Sequence, residues 1–183
     1  MPTRMPARKG LLPMAKIIKH SSIIDDGWTL LRLAEGESAE NVALPAGHLI
    51  VPLAVWQARK AELLARPQRG VWLAPDELAQ DIATDLANLQ LVAIDFPQFA
   101  DGRGYSTAAL LRTRFGWRGE LRAIGEVLRD QLFYLNRVGF DAYAIREGKD
   151  IEDALKALND FSETYQAAVD EPLPLFRRRG RAA

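Results

Sequence analysis

The sequence predicts an α/β protein in which repeated βα units form a mainly parallel sheet. Three observations predict it. From Gly70 onward, short apolar runs alternate with amphipathic stretches in the order βαβαβαβα. The connections between them are short, and parallel neighbours need a crossover about as long as a helix. One run, Leu91-Val92-Ala93-Ile94, is apolar throughout and ends at Asp95. Four such units fit an open sandwich or half of a barrel. Half a barrel would leave apolar surface exposed and favour pairing with a second copy of the chain.

Taken in order, residues 1–15 read as a flexible basic leader with three prolines. A single α/β domain is expected over 16–170, and a basic tail over 171–183. Met14 to Ile24 carries short apolar runs and reads as an edge strand. Asp25-Asp26-Gly27 is a turn signal, with Gly27 to Leu33 as the hairpin partner beyond it. These strands form the small N-terminal β addition. A polar loop, AEGESAENVALPAG, leads to a short strand at His48–Val51. Leu53 to Ala65 has the apolar stripe of a helix, through Val55, Trp56, Leu63 and Leu64. Val71–Ala74 is a strand and Pro75–Leu89 a helix with Asp76 and Glu77 in its first turn. After the Leu91–Ile94 strand, Ser106 starts a helix. Glu120–Ile124 is a strand broken by Gly125, and Glu126–Arg137 a helix. Phe140–Ile145 is the last strand, and the last helix runs from Asp150 or Ile151 to Tyr165.

Composition removes whole classes of chemistry. The chain has 183 residues, 48% of them hydrophobic, enough for one domain with a true core. Its 24 basic and 24 acidic side chains balance, so a globally basic nucleic-acid binder is not indicated. There is no cysteine, which excludes disulfides, a thiolate nucleophile and thiolate-held iron–sulfur clusters. His20 and His48 are the two histidines, and neither has metal-ligand spacing. A carboxylate-bound magnesium has no specific signal, and no metal is assigned. No apolar run approaches the roughly 18–20 residues of a membrane span, and the leader lacks a secretory h-region. A cytoplasmic location without a membrane partner is the expectation.

The segment DFPQFADGRGYSTAALLRTRFG, Asp95 to Gly116, holds the densest chemistry. In parallel α/β folds, ligands sit at the carboxyl ends of the strands. The glycines of Asp101-Gly102-Arg103-Gly104 permit a tight turn and close approach of an anion. Ser106 can cap the following helix and leave its N–H groups facing the loop. Arg103 supplies a forked donor to sulfate, sulfite, phosphate or carboxylate, and Tyr105 adds a hydroxyl and a ring. The competing reading is plain: the glycines turn the chain, and Asp101 pairs with Arg103. Arg122, inside an apolar strand, needs partners. Asp95, Asp130 and Glu147 are the candidates, with a ligand role as the alternative. Arg112, Arg114 and Arg118 extend the basic surface. Arg129, Asp130 and Gln131 form a second cluster, in which Gln131 either caps a neighbour or meets a partner. Asp95 and Asp101 form a carboxylate pair of undetermined separation. The expected anion-binding set is therefore Arg103, Gly104, Tyr105, Ser106 and Arg122, with the others supporting it or forming an interface.

FADGRGYS and LRDQLFYLNRVGFD, in combination, resemble a bacterial family of uncharacterised proteins (DUF934-like) associated with sulfate assimilation. The resemblance is strongest from Phe96 to Gly148. Members carry the label of oxidoreductases involved in sulfite reduction. The resemblance implies a role beside the sulfite reductase, with its siroheme and iron–sulfur cluster, or beside adenylyl-sulfate reductase. It transfers no catalytic residue and names no cofactor. Three readings stay open: an accessory protein that binds an oxyanion or sulfated nucleotide, a docking or scaffold protein for a reductase, and an oxidoreductase with an unrecognised cofactor site.

Overall fold

The computed structural model describes residues 11–13, as backbone alone, and 16–179. Most of the expected leader, and residues 180–183 of the tail with Arg181, lie outside the described residues.

Nine strands among the described residues form one sheet. They are β1 (Leu11–Pro13), β2 (Lys16–Lys19), β3 (Ser22–Asp25), β4 (Trp28–Leu31), β5 (His48–Pro52), β6 (Arg69–Leu73), β7 (Leu91–Phe96), β8 (Glu120–Gly125) and β9 (Ala142–Tyr143). Their order is β1-β4-β5-β6-β7-β8-β9-β2-β3. β4 to β9 run parallel, each beside its predecessor. The β2–β3 hairpin adds antiparallel to β9, and β1 adds antiparallel to β4. The predicted class holds: a mainly parallel α/β sheet curled as a half-barrel, with a small N-terminal β addition.

The hairpin turn lies elsewhere than expected. It is His20-Ser21, with φ of 45° and 58°, rather than Asp25-Asp26-Gly27. Two central residues with positive φ make the tight turn whose twist suits paired strands. The Asp26-Gly27 link instead carries the chain from β3, at one end of the sheet order, to β4, second from the other end beside β1. Three Cα steps from Asp25 to Trp28 reach at most about 11 Å. Seven strand spacings laid flat would put β3 about 34 Å from β4. Only a curled sheet satisfies both, so this link bridges the open side of the half-barrel.

The helices are α1 (Leu53–Ala58), α2 (Lys60–Leu64), α3 (Ala79–Ile82), α4 (Arg103–Thr113), α5 (Leu132–Arg137), α6 (Ile151–Lys156) and α7 (Leu175–Arg179). Most are shorter than the periodicity predicts. The expected Leu53–Ala65 helix breaks at Arg59, whose φ and ψ are −123° and 29°. There the guanidinium reaches Val42 O and Glu62. The expected Pro75–Leu89 helix is α3 followed by the 3-10 turn Ala83–Asn88. The side chains of Glu77 and Asp81 accept from the N–H groups of Ala74 and Leu78, and this fixes the start of α3 at Ala79. Before α5, the 3-10 turn Arg129–Gln131 replaces a helical start, because Gln131 Oε1 accepts from Leu128 N–H at 2.9 Å. The expected last helix is α6 followed by a 3-10 turn that ends at Asn159, short of Tyr165, and α7 lies beyond it in the expected tail.

Side chains alternate across the strands. One face contributes Leu49, Val51, Val71, Leu73, Val92, Ile94, Leu121, Ala123 and Tyr143 to the core shared with Trp56, Ala108, Leu111, Leu132 and Leu135 of the helices. The concave face carries Ile17, Leu30, Ile50, Leu91, Ala93, Ile124, Ala142 and Ala144, with Trp28 and Trp72 packed against them. None of those eight is more than 8% exposed. The apolar residues of the concave face are thus covered within one chain.

Candidate functional site

At the carboxyl ends of the parallel strands, four concave-side residues meet. They are Arg32 just past β4, Pro52 ending β5, Trp72 near the end of β6 and Asp95 near the end of β7. Pro52 and Trp72 are register partners. Arg32 grips Asp95 through both terminal nitrogens, at 2.6 Å and 3.1 Å. Its guanidinium carbon lies 4.8 Å over the Trp72 ring. Trp72 is itself fixed by its indole N–H, which donates to Leu31 O at 2.8 Å. The Asp95 carboxylate is 9% exposed and the Arg32 side chain 39%. Gly125, level with Phe96 on the neighbouring strand, leaves room for this carboxylate: a Cβ there would stand 2.8 Å from Asp95 Oδ1 and 2.5 Å from Phe96 O. Arg32, Leu33, Pro52 and Trp72 line a cleft of about 220 Å³.

The structure does not gather the sequence-predicted residues here. Arg103 opens α4 on the helix side of the sheet and is exposed. It is held by Asp101 at 2.7 Å and 3.0 Å. That bond from Arg103 is what draws the Asp101 carboxyl below its ordinary range. Ser106 is not a cap. It lies inside α4, whose N-cap is Gly102. Gly104 is there for packing rather than for a turn, since a Cβ would meet the Phe96 ring at 2.7 Å and Ile94 at 2.9 Å. Tyr105 meets the Phe96 ring edge-on and the Tyr134 ring at a tilt. Burial pushes its hydroxyl up, and a hydrogen bond with Gln131 partly offsets this. The Gln131 amide also donates to Phe99 O at 3.4 Å.

Arg122 is 1% exposed on the concave side. Its partners are Asp26 at 2.7 Å and Glu120 at 2.6 Å, in place of the expected Asp95, Asp130 and Glu147. Lys19 closes the chain of charges on Glu120 at 2.6 Å. Burial raises the Asp26 carboxyl above its usual range, although Arg122 and the Trp28 N–H pull the other way. Asp95 and Asp101 do not form a pair, because each carboxylate is taken by its own arginine. Arg112 is a structural staple: it donates to the carbonyls of Gly139, Trp117 and Gly119 and to Asp141, all within 3.0 Å. Arg114 lies over the Phe115 ring. Arg118 and Asp130 are exposed. Arg129 pairs with Asp153 and Asp160, both at 3.1 Å.

Arg32, Trp72, Asp26 and Glu120 are the polar groups that reading along the chain leaves out. One signal pointed to Arg32. In WTLLR, Arg32 falls on the same strand face as Trp28 and Leu30, which marks a cation aimed at the concave side. Among the described residues, no group of three or more His, Asp or Glu side chains could hold a metal ion.

Fold and site together define a half-barrel α/β protein with a small strand-end cleft lined by Arg32, whose guanidinium is held by Asp95. The chain belongs to the family described as "Bacterial protein of unknown function (DUF934)", which matches residues 70–176, more than half its length. No curated protein and no solved structure matches it.

Proposed function

We propose that this protein is an accessory protein of assimilatory sulfite and sulfate reduction that binds an anionic ligand, an oxyanion or a sulfated nucleotide, at the carboxyl-end rim of its sheet. The pathway rests on the sequence resemblance. The site rests on one observation: a partly exposed guanidinium, Arg32, is fixed by Asp95 and Trp72 at the strand ends where parallel α/β folds hold ligands. Arg103, Arg129 and Arg146 stand on loops or helix starts that follow β7, β8 and β9, each in a surface ion pair. Such pairs exchange partners readily in water. The cationic rim, rather than the buried Arg122, then guides the ligand to Arg32. Under this reading the partner enzyme is the reductase that consumes the ligand, a sulfite reductase or an adenylyl-sulfate reductase.

Calorimetric titration with sulfite, sulfate and adenylyl sulfate tests the proposal. One saturable event is expected with the wild-type chain, weakened about 10- to 150-fold in Arg32→Ala, the loss of a charge-assisted contact of about 1.5–3 kcal/mol. Folded wild-type protein that binds none of the three rules the proposal out.

A further inference from the structure

The cleft at Arg32 is shaped for a ring rather than for a bare oxyanion. A guanidinium has five N–H donors in one plane, and it binds sulfate or phosphate through the in-plane fork. In Arg32 the fork between the two terminal nitrogens is already closed on Asp95, at 2.6 Å and 3.1 Å. The carboxylate neutralises the cation and would repel an oxyanion brought to the same edge. Asp95 sits in a strand buried along its whole length, so it cannot swing aside without vacating a packed position. One side of the guanidinium is taken by Trp72, whose ring centroid lies 4.8 Å from the guanidinium carbon. What Arg32 offers the cleft is therefore its other face and its outer N–H edge.

The remaining walls agree with this. Besides Arg32, the cleft is lined by the Trp72 indole, the Pro52 ring and Leu33, all flat or apolar. Its volume of about 220 Å³ is below the roughly 300–1,000 Å³ of sites that enclose a drug-sized ligand. It suits a single planar ring system with the rest of the molecule left outside. A guanidinium backed by an indole and locked in plane by a carboxylate is a rigid platform, and bases stack on arginine planes as they do on aromatic rings.

We infer that the Arg32–Trp72 cleft binds the planar base of a nucleotide by stacking, and that its specificity is for the ring rather than for the anion. This rests on the proposed function above and narrows it to the nucleotide class. Asp95 is a positioning residue that holds the guanidinium plane.

The experiment uses adenosine 5′-monophosphate, ribose 5-phosphate and sulfate on the full chain. Binding is read by calorimetry and by the indole N–H resonance of Trp72 in a ¹⁵N-labelled sample. Adenosine 5′-monophosphate is expected to bind and to shift the Trp72 resonance, while ribose 5-phosphate and sulfate bind far more weakly. Arg32→Lys keeps the charge but loses the plane and the fork, so it should weaken the nucleotide about 5- to 150-fold, the range for removing one stacking partner. The wild-type resonance shift is read independently of whether any variant folds. Equal binding of ribose 5-phosphate or sulfate, retained in Arg32→Lys, overturns the ring specificity and leaves the anion reading standing. Silence from adenosine 5′-monophosphate removes the ring inference, while the separate titration with sulfite and adenylyl sulfate decides the anion reading.

Discussion

At the scale of single residues, several polar groups that the fold buries are committed to structure. Arg112 spends four donors on three carbonyls and a carboxylate, and Arg122 spends its own on Asp26 and Glu120. That Arg122 would need partners was legible, because a guanidinium inside an apolar strand must be compensated. Which partners was not legible, since Asp26 lies 96 positions away and meets Arg122 only because the sheet curls. Tyr143 shows how such burial couples to pH. It is 1% exposed, and its hydroxyl donates to Phe140 O at 2.9 Å. Burial holds the phenol well above its ordinary ionisation range, and the nearby Asp141 adds to the effect while Arg112 opposes it. The folded chain therefore keeps this proton where the unfolded chain releases it. Its contribution is full below the unfolded tyrosine value of about 10 and is lost as pH rises toward the folded value. Between those two values wild-type stability should fall by up to about 1.4 kcal/mol per pH unit on account of this group. Urea unfolding between pH 8 and pH 11.5 should show a shallower decline for Tyr143→Phe, beginning from a value about 0.5–1.5 kcal/mol lower at pH 8 for the lost hydrogen bond. Parallel declines in the two proteins would refute the assignment.

At the scale of elements, the central strands were legible, while helix limits, the N-terminal strands and the extent of β9, two residues where Phe140–Ile145 was expected, were not. β5 to β8 follow the apolar runs to within a residue or two, because burial on two faces leaves little choice of residue. The helices fray into 3-10 turns where Glu77, Asp81 and Gln131 capture backbone N–H groups, which apolar periodicity does not register. The N-terminal hairpin misled the reading for a related reason. Asp25-Asp26-Gly27 has turn composition, yet the turn is made by His20 and Ser21, two residues poorly suited to positive φ. That mismatch is a correctable cost. Replacing His20-Ser21 with Asn-Gly supplies the residues the turn prefers, and should raise stability by about 1–2 kcal/mol through relief of left-handed backbone strain at two positions. Thermal unfolding of the double variant measures it, and an unchanged or lower midpoint would mean that the turn geometry is not as described.

At the scale of the whole molecule, the half-barrel is held shut by two different means, and they can be separated. One is covalent, the short link from β3 to β4. The other is electrostatic, the Asp26–Arg122 contact that reaches from that link to β8, with both side chains 1% exposed. If the chain link carries the closure, lengthening it should open the sheet. If the charge pair carries it, lengthening should matter little, because each doubling of a loop costs only about 0.6 kcal/mol. The buried pair is the stronger candidate: stripping one partner from a buried ion pair leaves an uncompensated charge and costs about 3–5 kcal/mol. An insertion of Gly-Ser-Gly-Ser between Gly27 and Trp28 keeps Asp26 attached to β3 and sacrifices its 3.1 Å bond from the Trp28 N–H. Urea unfolding should place this variant within about 2 kcal/mol of wild type, the sum of the loop term and one hydrogen bond. Asp26→Ala, with the link at natural length, should lose about 3–5 kcal/mol. The reverse ranking would assign closure to the connection and reduce the buried charges to a consequence of it. The ranking also bears on the cleft. Arg32 follows directly from β4, the strand that this link delivers, so whichever means fixes β4 also fixes the guanidinium over Trp72.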